Sequence, residues 1–409
     1  MTDAERRLTT VPWASLTGLG PTLERPLTDV LSGLPAERVL DRLLRSNRHF
    51  TPEQRAVTAE SLFGVGLWRR RLRAHLPDAT PLQLLAILAR ELGQCATAPA
   101  LLGVELPPLG PTPTDWRDRH SFPDWIAAHF EARFGAGAAD LAAALNRPGP
   151  VCLRARGDRD ELATRLRAHG IETTPGRWSP RALHVTTHRP NLLGLGPDFL
   201  GTFEVQDEGS QLLGALVDVH PGDDVLDLCA GAGGKALQLA SLVGPQGRVH
   251  ATDVDLERLE RLRTRASKAN ARVLIHGRQA PPSLRVPRVL VDAPCSELGA
   301  LRRGPDLRWR LEPSLVTTLP AVQRELLETG LRHLAPDGKL VYATCTLTRV
   351  ENEDVVDALL AAHPELVLVR PELPDAVLDA RGLLLLAPHL HGTDGFFGAV
   401  FSRRAAGAS

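Results

Sequence analysis

The sequence predicts an α/β protein in three parts: a C-terminal domain on a largely parallel sheet, a small α/β module before it, and an all-helical domain first. Three observations carry this. From about Gly201 onward, apolar strand-like runs alternate with amphipathic helical stretches, the pattern of a parallel sheet with helical crossovers. Between about Leu23 and Leu106, apolar residues recur every three or four positions instead. Between these regions, Val151-Cys152-Leu153-Arg154-Ala155-Arg156 alternates with the period of a strand. A chain of 409 residues exceeds one ordinary core. The expected boundaries are 1–110, 111–202 and 203–409.

Residues 1–20 read as a loose leader. In the helical part, Val30, Leu31, Leu34 and Val39, Leu40, Leu43, Leu44 mark apolar faces. Thr51-Pro52 and Thr80-Pro81 open two further helices, with proline at the first helical position. The first of these carries Arg69-Arg70-Arg71-Leu72-Arg73, which fits either a phosphate site or a solvated face in an arginine-rich chain. Leu106 to Thr114, rich in Pro and Gly, is a linker. A short helix to Phe134 follows. After the strand at Val151 come an amphipathic helix over 158–169, a turn to Gly176 and a strand at Leu183-His184-Val185. This β-α-β-β texture suits a small RNA-binding module. In the last part, strands are expected at 225–229, 248–252, 272–276, 288–291, 339–344 and 383–388, with 396–403 closing the set.

Composition narrows the class. Apolar residues make up 43% and charged residues 23%, as in globular proteins, and no apolar run approaches the roughly 18 to 20 residues of a membrane span. Met1 to Arg7 leads into no apolar signal segment, so a cytoplasmic protein without a membrane partner is expected. Formal net charge is zero, so any RNA contact must come from local patches. The five cysteines (Cys95, Cys152, Cys229, Cys295, Cys345) show no CxxC pair and no zinc spacing, and no metal site is expected. Cys95 and Cys152 read as core residues. Of 48 basic residues only Lys235, Lys268 and Lys339 are lysines, so a lysine is the more informative cation here.

The chemistry concentrates at strand ends. Val289-Leu290-Val291-Asp292-Ala293-Pro294-Cys295-Ser296 is a strand ending in an acid, a proline and a thiol, and Leu340-Val341-Tyr342-Ala343-Thr344-Cys345-Thr346 also ends in a thiol. Side by side in one parallel sheet, both thiols emerge at the carboxyl edge, where open α/β sheets bind ligands. Val225 to Cys229 runs into a glycine-rich turn, Ala230-Gly231-Ala232-Gly233-Gly234-Lys235, which lacks both the GxGxxG and the GKS/T spacing. Its glycines admit a ligand to the backbone, and a helix N-terminus there favours a carboxylate. Asp253, ending the next strand, is placed to accept hydrogen bonds from a ribose. A nucleoside carrying a carboxylate fits these needs: S-adenosylmethionine, with NAD as the competitor that the glycine spacing disfavours. Either thiol alone reads equally well as a packed core residue; both together, in these contexts, do not.

At this point a resemblance becomes specific. Asp227 to Lys235, Asp292 to Ser296, Arg302-Arg303-Gly304-Pro305-Asp306-Leu307-Arg308-Trp309, and Tyr342 to Cys345 followed by Glu351-Asn352-Glu353 resemble the Sun/Fmu (Nop2/Sun) RNA cytosine-5 methyltransferases. Pro388-His389, Asp394 to Phe397, Val205 to Gln211 and Pro175 to Pro180 are similar to flanking segments of that family, and Glu53 to Leu76 resembles the NusB-type domain of its bacterial ribosomal RNA branch. The likeness is dense over 203–401, thinner over 121–202 and thinnest over 23–105. It implies a Rossmann-like class I methyltransferase domain on a mixed seven-stranded sheet, with S-adenosylmethionine held by Cys229 to Lys235, Asp253 and Asp292. It also implies structured RNA, above all small-subunit ribosomal RNA, as substrate. The nucleophile would be Cys345, with Cys295 assisting release as a base and Asp292 holding the cytosine or the cofactor. The expected enzyme is a monomer.

The chain departs from the family pattern in four places. Gly231-Ala232 stand for Ala-Pro, and Gly277-Arg278 for Gly followed by an acid that contacts cofactor. Ser296-Glu297-Leu298-Gly299 replace Ser-Gly/Ala-Thr-Gly, and Thr346 replaces a serine. Three alternatives stay open: a transfer RNA substrate, an RNA-binding assembly protein with weakened catalysis, and methylation of DNA, in whose enzymes the Pro-Cys thiol attacks instead.

Overall fold

A computed structural model of the protein describes residues 3–187 and 190–404. They form two compact units, one comprising the described residues through 148 with 300–313, the other those from 149 to 299 with 314–404. The contact boundaries thus differ from the sequence divisions at 110 and 202. The segment after Gly299 joins the helical unit although it lies deep in the C-terminal sequence.

In the helical unit, Gly20–Leu31, Ala36–Ser46, Pro52–His75 and Pro81–Glu91 enclose a core that includes Leu62, Val65, Trp68, Leu72, Leu84, Leu85 and Leu88. The Thr-Pro starts work as capping boxes. Thr51 Oγ1 accepts from the Gln54 N–H while Gln54 Oε1 accepts from the Thr51 N–H, and Thr80 with Gln83 repeats the exchange. Residues 3–20 are not a loose leader; residues 1 and 2 lie outside those described. Asp3–Leu8 is helical, Trp13–Leu16 is a 3₁₀ turn, and Leu8, Trp13, Leu16 and Leu19 are buried. The indole N–H of Trp13 donates to Leu8 O at 2.8 Å. Their spacing, broken at Pro12, has no helical period to read, yet each side chain reaches the core. Asp124–Phe134 and Ala138–Leu145 complete this unit. The family-like segment also lies here as the 3₁₀ turn Pro305–Trp309, with Arg308 wholly buried. The Arg308 guanidinium stands 3.8 Å from the Phe122 ring centroid and donates to Asn146 Oδ1 at 2.8 Å.

The second unit begins with a four-stranded antiparallel sheet: β1 (Cys152–Ala155), β2 (Thr173–Pro175), β3 (Ala182–Val185) and β4 (Phe203–Val205), in the order β2-β3-β1-β4. The helix Arg159–Ala168 packs Leu162 and Leu166 against Leu153 and Leu183 of this sheet. Because β4 pairs with β1, Leu153 opposite Val205, the small sheet runs past residue 202.

The large sheet comprises β5 (Asp224–Asp227), β6 (Arg248–Thr252), β7 (Val273–Gly277), β8 (Val286–Asp292), β9 (Leu334–Thr344), β10 (Leu366–Leu368), β11 (Leu384–Leu386) and β12 (Phe396–Arg403). Seven strands follow the order β10-β12-β9-β8-β5-β6-β7, and β11 pairs β12 off that path. β5 to β9 are mutually parallel and β12 is antiparallel to β9, which makes the sheet mixed. The extra edge strand β10 is three residues long and sits just before Pro371. β8 and β6 flank β5 on opposite sides, so chain order reverses at β5, the position at which such sheets open a ligand crevice. The thiol-bearing strands are neighbours, with Asp292 of β8 opposite Ala343 of β9.

Candidate active site

The carboxyl ends of β5, β6, β8 and β9 surround one cleft of about 1090 Å³. Cys229, Ala230, Gly231, Ala232, Gly234, Lys235, Asp253, Asp292, Cys295 and Cys345 all line it. Of the residues singled out from sequence, Gly233 alone is not in the lining. It turns the loop into the helix Gly234–Val243 at φ +92°, and a Cβ there would stand 2.3 Å from Leu262 Cδ1, so only glycine fits.

The two thiols meet. Cys295 Sγ and Cys345 Sγ are 3.3 Å apart, and the Cys345 N–H also points at Cys295 Sγ at 3.3 Å. The hydrogen bond to Cys295 first, and burial second, push the Cys345 thiol well above its usual range. At neutral pH Cys345 is therefore a thiol, and any nucleophilic step must first remove its proton.

Acids surround the opposite end. Asp253 Oδ2 accepts from the Gly231 N–H and Oδ1 from the Asp255 N–H, both at 2.8 Å, so this carboxylate shapes the loop and keeps one lone pair on each oxygen for a ligand. Lys235 Nζ donates to Asp292 Oδ2 at 2.7 Å. Burial pulls the ammonium down, but the charge and hydrogen bond of Asp292 outweigh it and hold Lys235 above its usual value. Asp227, at the end of β5, is buried, and burial reinforced by the Asp292 charge pushes its carboxyl up to about 7. Burial, then Asp227, also raises the Cys229 thiol, which keeps that sulfur neutral.

These features fit S-adenosylmethionine. A Cβ at Gly234 would meet nothing within 4 Å, so the loop leaves an open cradle at the helix start. Asp253 and Asp255 offer acceptors for hydroxyls, and the crowded acids Asp227, Asp253 and Asp292 suit a ligand with positive centres. The residues that could hold it are those of the Cys229 to Lys235 loop that line the cleft, with Asp253 and Asp292. Arg278 opens onto the same cleft where the family pattern has an acid.

Sequence reading missed the group that organises the thiol loops. Glu351, wholly buried, accepts from the Ser296 N–H at 2.8 Å, from Ser296 Oγ at 2.5 Å and from Thr348 Oγ1 at 2.8 Å. Gln323 Nε2 donates to Pro294 O at 2.9 Å and to Glu351 Oε2 at 3.3 Å. Asn352 Nδ2 donates to Thr346 O at 3.1 Å, and Thr344 Oγ1 to Asn352 Oδ1 at 2.7 Å. The Gly299 N–H donates to Cys345 O at 2.9 Å. Each loop is thus tied to the other by side chains that touch neither sulfur. The only sequence signal was the position of Glu351-Asn352 shortly after the second thiol.

Comparisons with known proteins place the chain in a family. The family described as "16S rRNA methyltransferase RsmB/F" matches residues 215–402, and the "Methyltr_RsmF/B-like, ferredoxin-like domain" matches 122–190. The chain is 33% identical to ribosomal RNA small subunit methyltransferase B of Thermus thermophilus, over 92% of this chain and 96% of that one. It is 32% identical to a probable ribosomal RNA small subunit methyltransferase B of Synechocystis, over 68% of this chain, and spans 66% of the length of that relative. A solved methyltransferase homologue from Pyrococcus horikoshii superimposes with a TM-score of 0.62 at 25% identity, over 72% of this chain and all of that one. With paired thiols at adjacent strand ends and a relative matched nearly end to end, the chain belongs to the RsmB/F family of 16S rRNA methyltransferases.

Proposed function

We propose that the protein methylates C5 of a cytosine in 16S ribosomal RNA, using S-adenosylmethionine and a transient covalent bond to Cys345. The observation that carries this reading is the 3.3 Å approach of Cys295 and Cys345 within the cleft that also holds the glycine-rich loop. S-adenosylmethionine supplies the methyl group as an electrophile.

Carbon 5 of cytosine is too weak a nucleophile to take a methyl group unaided. Addition of Cys345 Sγ to C6 forms an S–C6 bond and pushes the C5=C6 electron pair onto C5, with a proton gained at N3. Once C5 carries the methyl group, a base must take its proton. The C5–H electrons then rebuild C5=C6, Cys345 departs as thiolate, and N3 gives back the proton it gained on addition. Cys295 is assigned to that proton, since it faces Cys345 from the neighbouring strand. Asp292, fixed by Lys235, is assigned to the polar edge of the base, where it holds the N3 proton gained on addition. Reaching a base inside folded RNA requires taking it out of its stack, and the cleft is large enough for a base beside the cofactor. The small four-stranded module and the helical unit are read as RNA-facing accessories, the latter NusB-like.

Transfer of tritium from methyl-labelled S-adenosylmethionine to a 16S transcript, with Cys345→Ala as control, tests the assignment. Label in 5-methylcytosine that vanishes with Cys345→Ala supports it. No label in any ribosomal RNA, from free transcript or partly assembled subunits, removes it.

A further inference from the structure

Four arginines crowd the last turns of the helix Pro52–His75, and their partners sort them. Arg70 is engaged by Asp118 at 2.5 Å and Asp124 at 2.6 Å. Arg71 is buried between Glu5 and Glu91. Arg69 and Arg73 lie one turn apart on one face, and among the described residues neither meets a carboxylate. Arg69 Nη1 reaches only Leu31 O, at 3.3 Å, and Arg73 Nη1 only Pro77 O, at 2.8 Å. Trp309 closes a third side, its ring centroid 4.2 Å from the Arg69 guanidinium carbon. Leu31, Arg69, Arg70, Arg73 and Trp309 line a cleft of about 360 Å³.

Two guanidinium groups on one face without a counter-charge repel each other. Burial, and then the charge of Arg73, hold Arg69 below its usual value. The fold maintains this cost while it neutralises the two arginines between them, so the unpaired charge belongs to Arg69 and Arg73 in particular. The indole pins the Arg69 plane, which removes rotamer freedom from a group whose planar fork matches phosphate oxygens.

We propose that Arg69 and Arg73, backed by Trp309, form a subsite for a backbone phosphodiester of the RNA, separate from the thiol cleft. The subsite rests on the reading of the substrate as RNA. The arginines take non-bridging phosphate oxygens and read no base, so the subsite fixes where the RNA lies without choosing its sequence.

The test uses the full chain and a 16S transcript, with binding measured over a series of KCl concentrations. Each phosphate contact contributes about 0.7 to 0.9 to the slope of log affinity against log salt. Arg73→Gln, an exposed change on a helix surface, is expected to flatten the slope by about one contact, and Arg69→Gln with Arg73→Gln by about two. Arg90→Gln, at an exposed arginine outside the cleft, serves as the control and is expected to leave the slope in place. Methyl transfer by the double variant should show a raised KM for transcript and an unchanged kcat. An unaltered slope in both variants, or an equal loss with Arg90→Gln, overturns the subsite; the first would leave an acidic protein surface as the fitting partner. A changed slope without methyl transfer by the unaltered protein would keep the subsite and remove the assigned reaction. Methyl transfer with an unaltered slope would do the reverse.

Discussion

The carboxylate of Glu351 takes both the backbone N–H and the hydroxyl of Ser296, the residue that follows Cys295. One buried side chain thereby fixes the loop of the first thiol from a position six residues beyond the second. The distance between the two sulfurs is set by this clamp as well as by the pairing of β8 with β9.

Glu351→Gln keeps the size of the side chain and removes one acceptor. The new amide N–H₂ must face either the Ser296 N–H or the hydroxyls of Ser296 and Thr348, so at least one donor-to-acceptor contact is lost. Hydrogen bonds to a charged group contribute about 1.5 to 3 kcal/mol each, and a stability loss of that order is expected. Turnover should fall at least tenfold, because positioning errors of a fraction of an ångström at reacting atoms are costly. Cofactor affinity, measured by calorimetry, should stay within a few-fold, since Glu351 does not line the cleft. Unchanged kcat in a folded variant would show that the clamp does not position the thiols.

The assigned roles of the two cysteines separate cleanly by what each variant leaves behind. Cys295→Ala still permits addition of Cys345 to C6 but lacks the group assigned to the C5 proton. It should accumulate a protein–RNA species that survives denaturing electrophoresis. Cys345→Ala, and the double variant, should show none. A Cys295→Ala protein that turns over freely without any adduct would exclude Cys295 from release.

Much of this site could be read before any coordinates, because its chemistry sits at strand ends. Val289 to Val291 and Leu340 to Ala343 are apolar runs that only a doubly covered parallel sheet buries well, and such a sheet sends Cys295 and Cys345 to the same edge. Other features depend on pairings that local sequence does not encode. Glu351 looks like a helix-start acid until Ser296, fifty-five residues earlier, is brought to it. The first twenty residues looked loose because Leu8, Trp13, Leu16 and Leu19 reach the core from an irregular path. The segment after Gly299 has no signal for joining the helical unit, since the family-like run Arg302 to Trp309 does not say what Arg308 packs against. Burial against Phe122 and Asn146 is a purely tertiary fact.

Lys235 and Asp292 provide a measurable coupling. Lys235 is deeply placed and Asp292 is 29% exposed, so the pair is only partly shielded from solvent. Lys235→Met leaves the carboxylate beside Asp227 with no cation. Breaking a fully buried pair costs about 3 to 5 kcal/mol, and partial exposure brings the expected loss to roughly 2 kcal/mol. Lys235→Met combined with Asp292→Asn should recover part of the loss, giving a double-mutant coupling of about 1 kcal/mol or more in thermal unfolding. Additive effects of the two changes would show that the 2.7 Å contact contributes nothing to stability.

His120 makes the helical unit sensitive to acid. It is 7% exposed, and burial, followed by the charge of Arg119, lowers its pKa from 6.5 to about 4. The folded imidazole therefore stays neutral where the unfolded one binds a proton. Between pH 6.5 and 4 the unfolded state holds more protons, so stability falls as pH falls through that window and levels off below it. The shift corresponds to roughly 3 kcal/mol at full extent. Five of the six tryptophans, Trp13, Trp68, Trp116, Trp125 and Trp309, lie in the helical unit, so intrinsic fluorescence during urea unfolding follows it. His120→Gln cannot titrate, and its loss of stability between pH 7 and pH 4.5 should be smaller than that of the unaltered protein by roughly 2 kcal/mol. Equal losses in the two proteins would place the acid sensitivity on other groups.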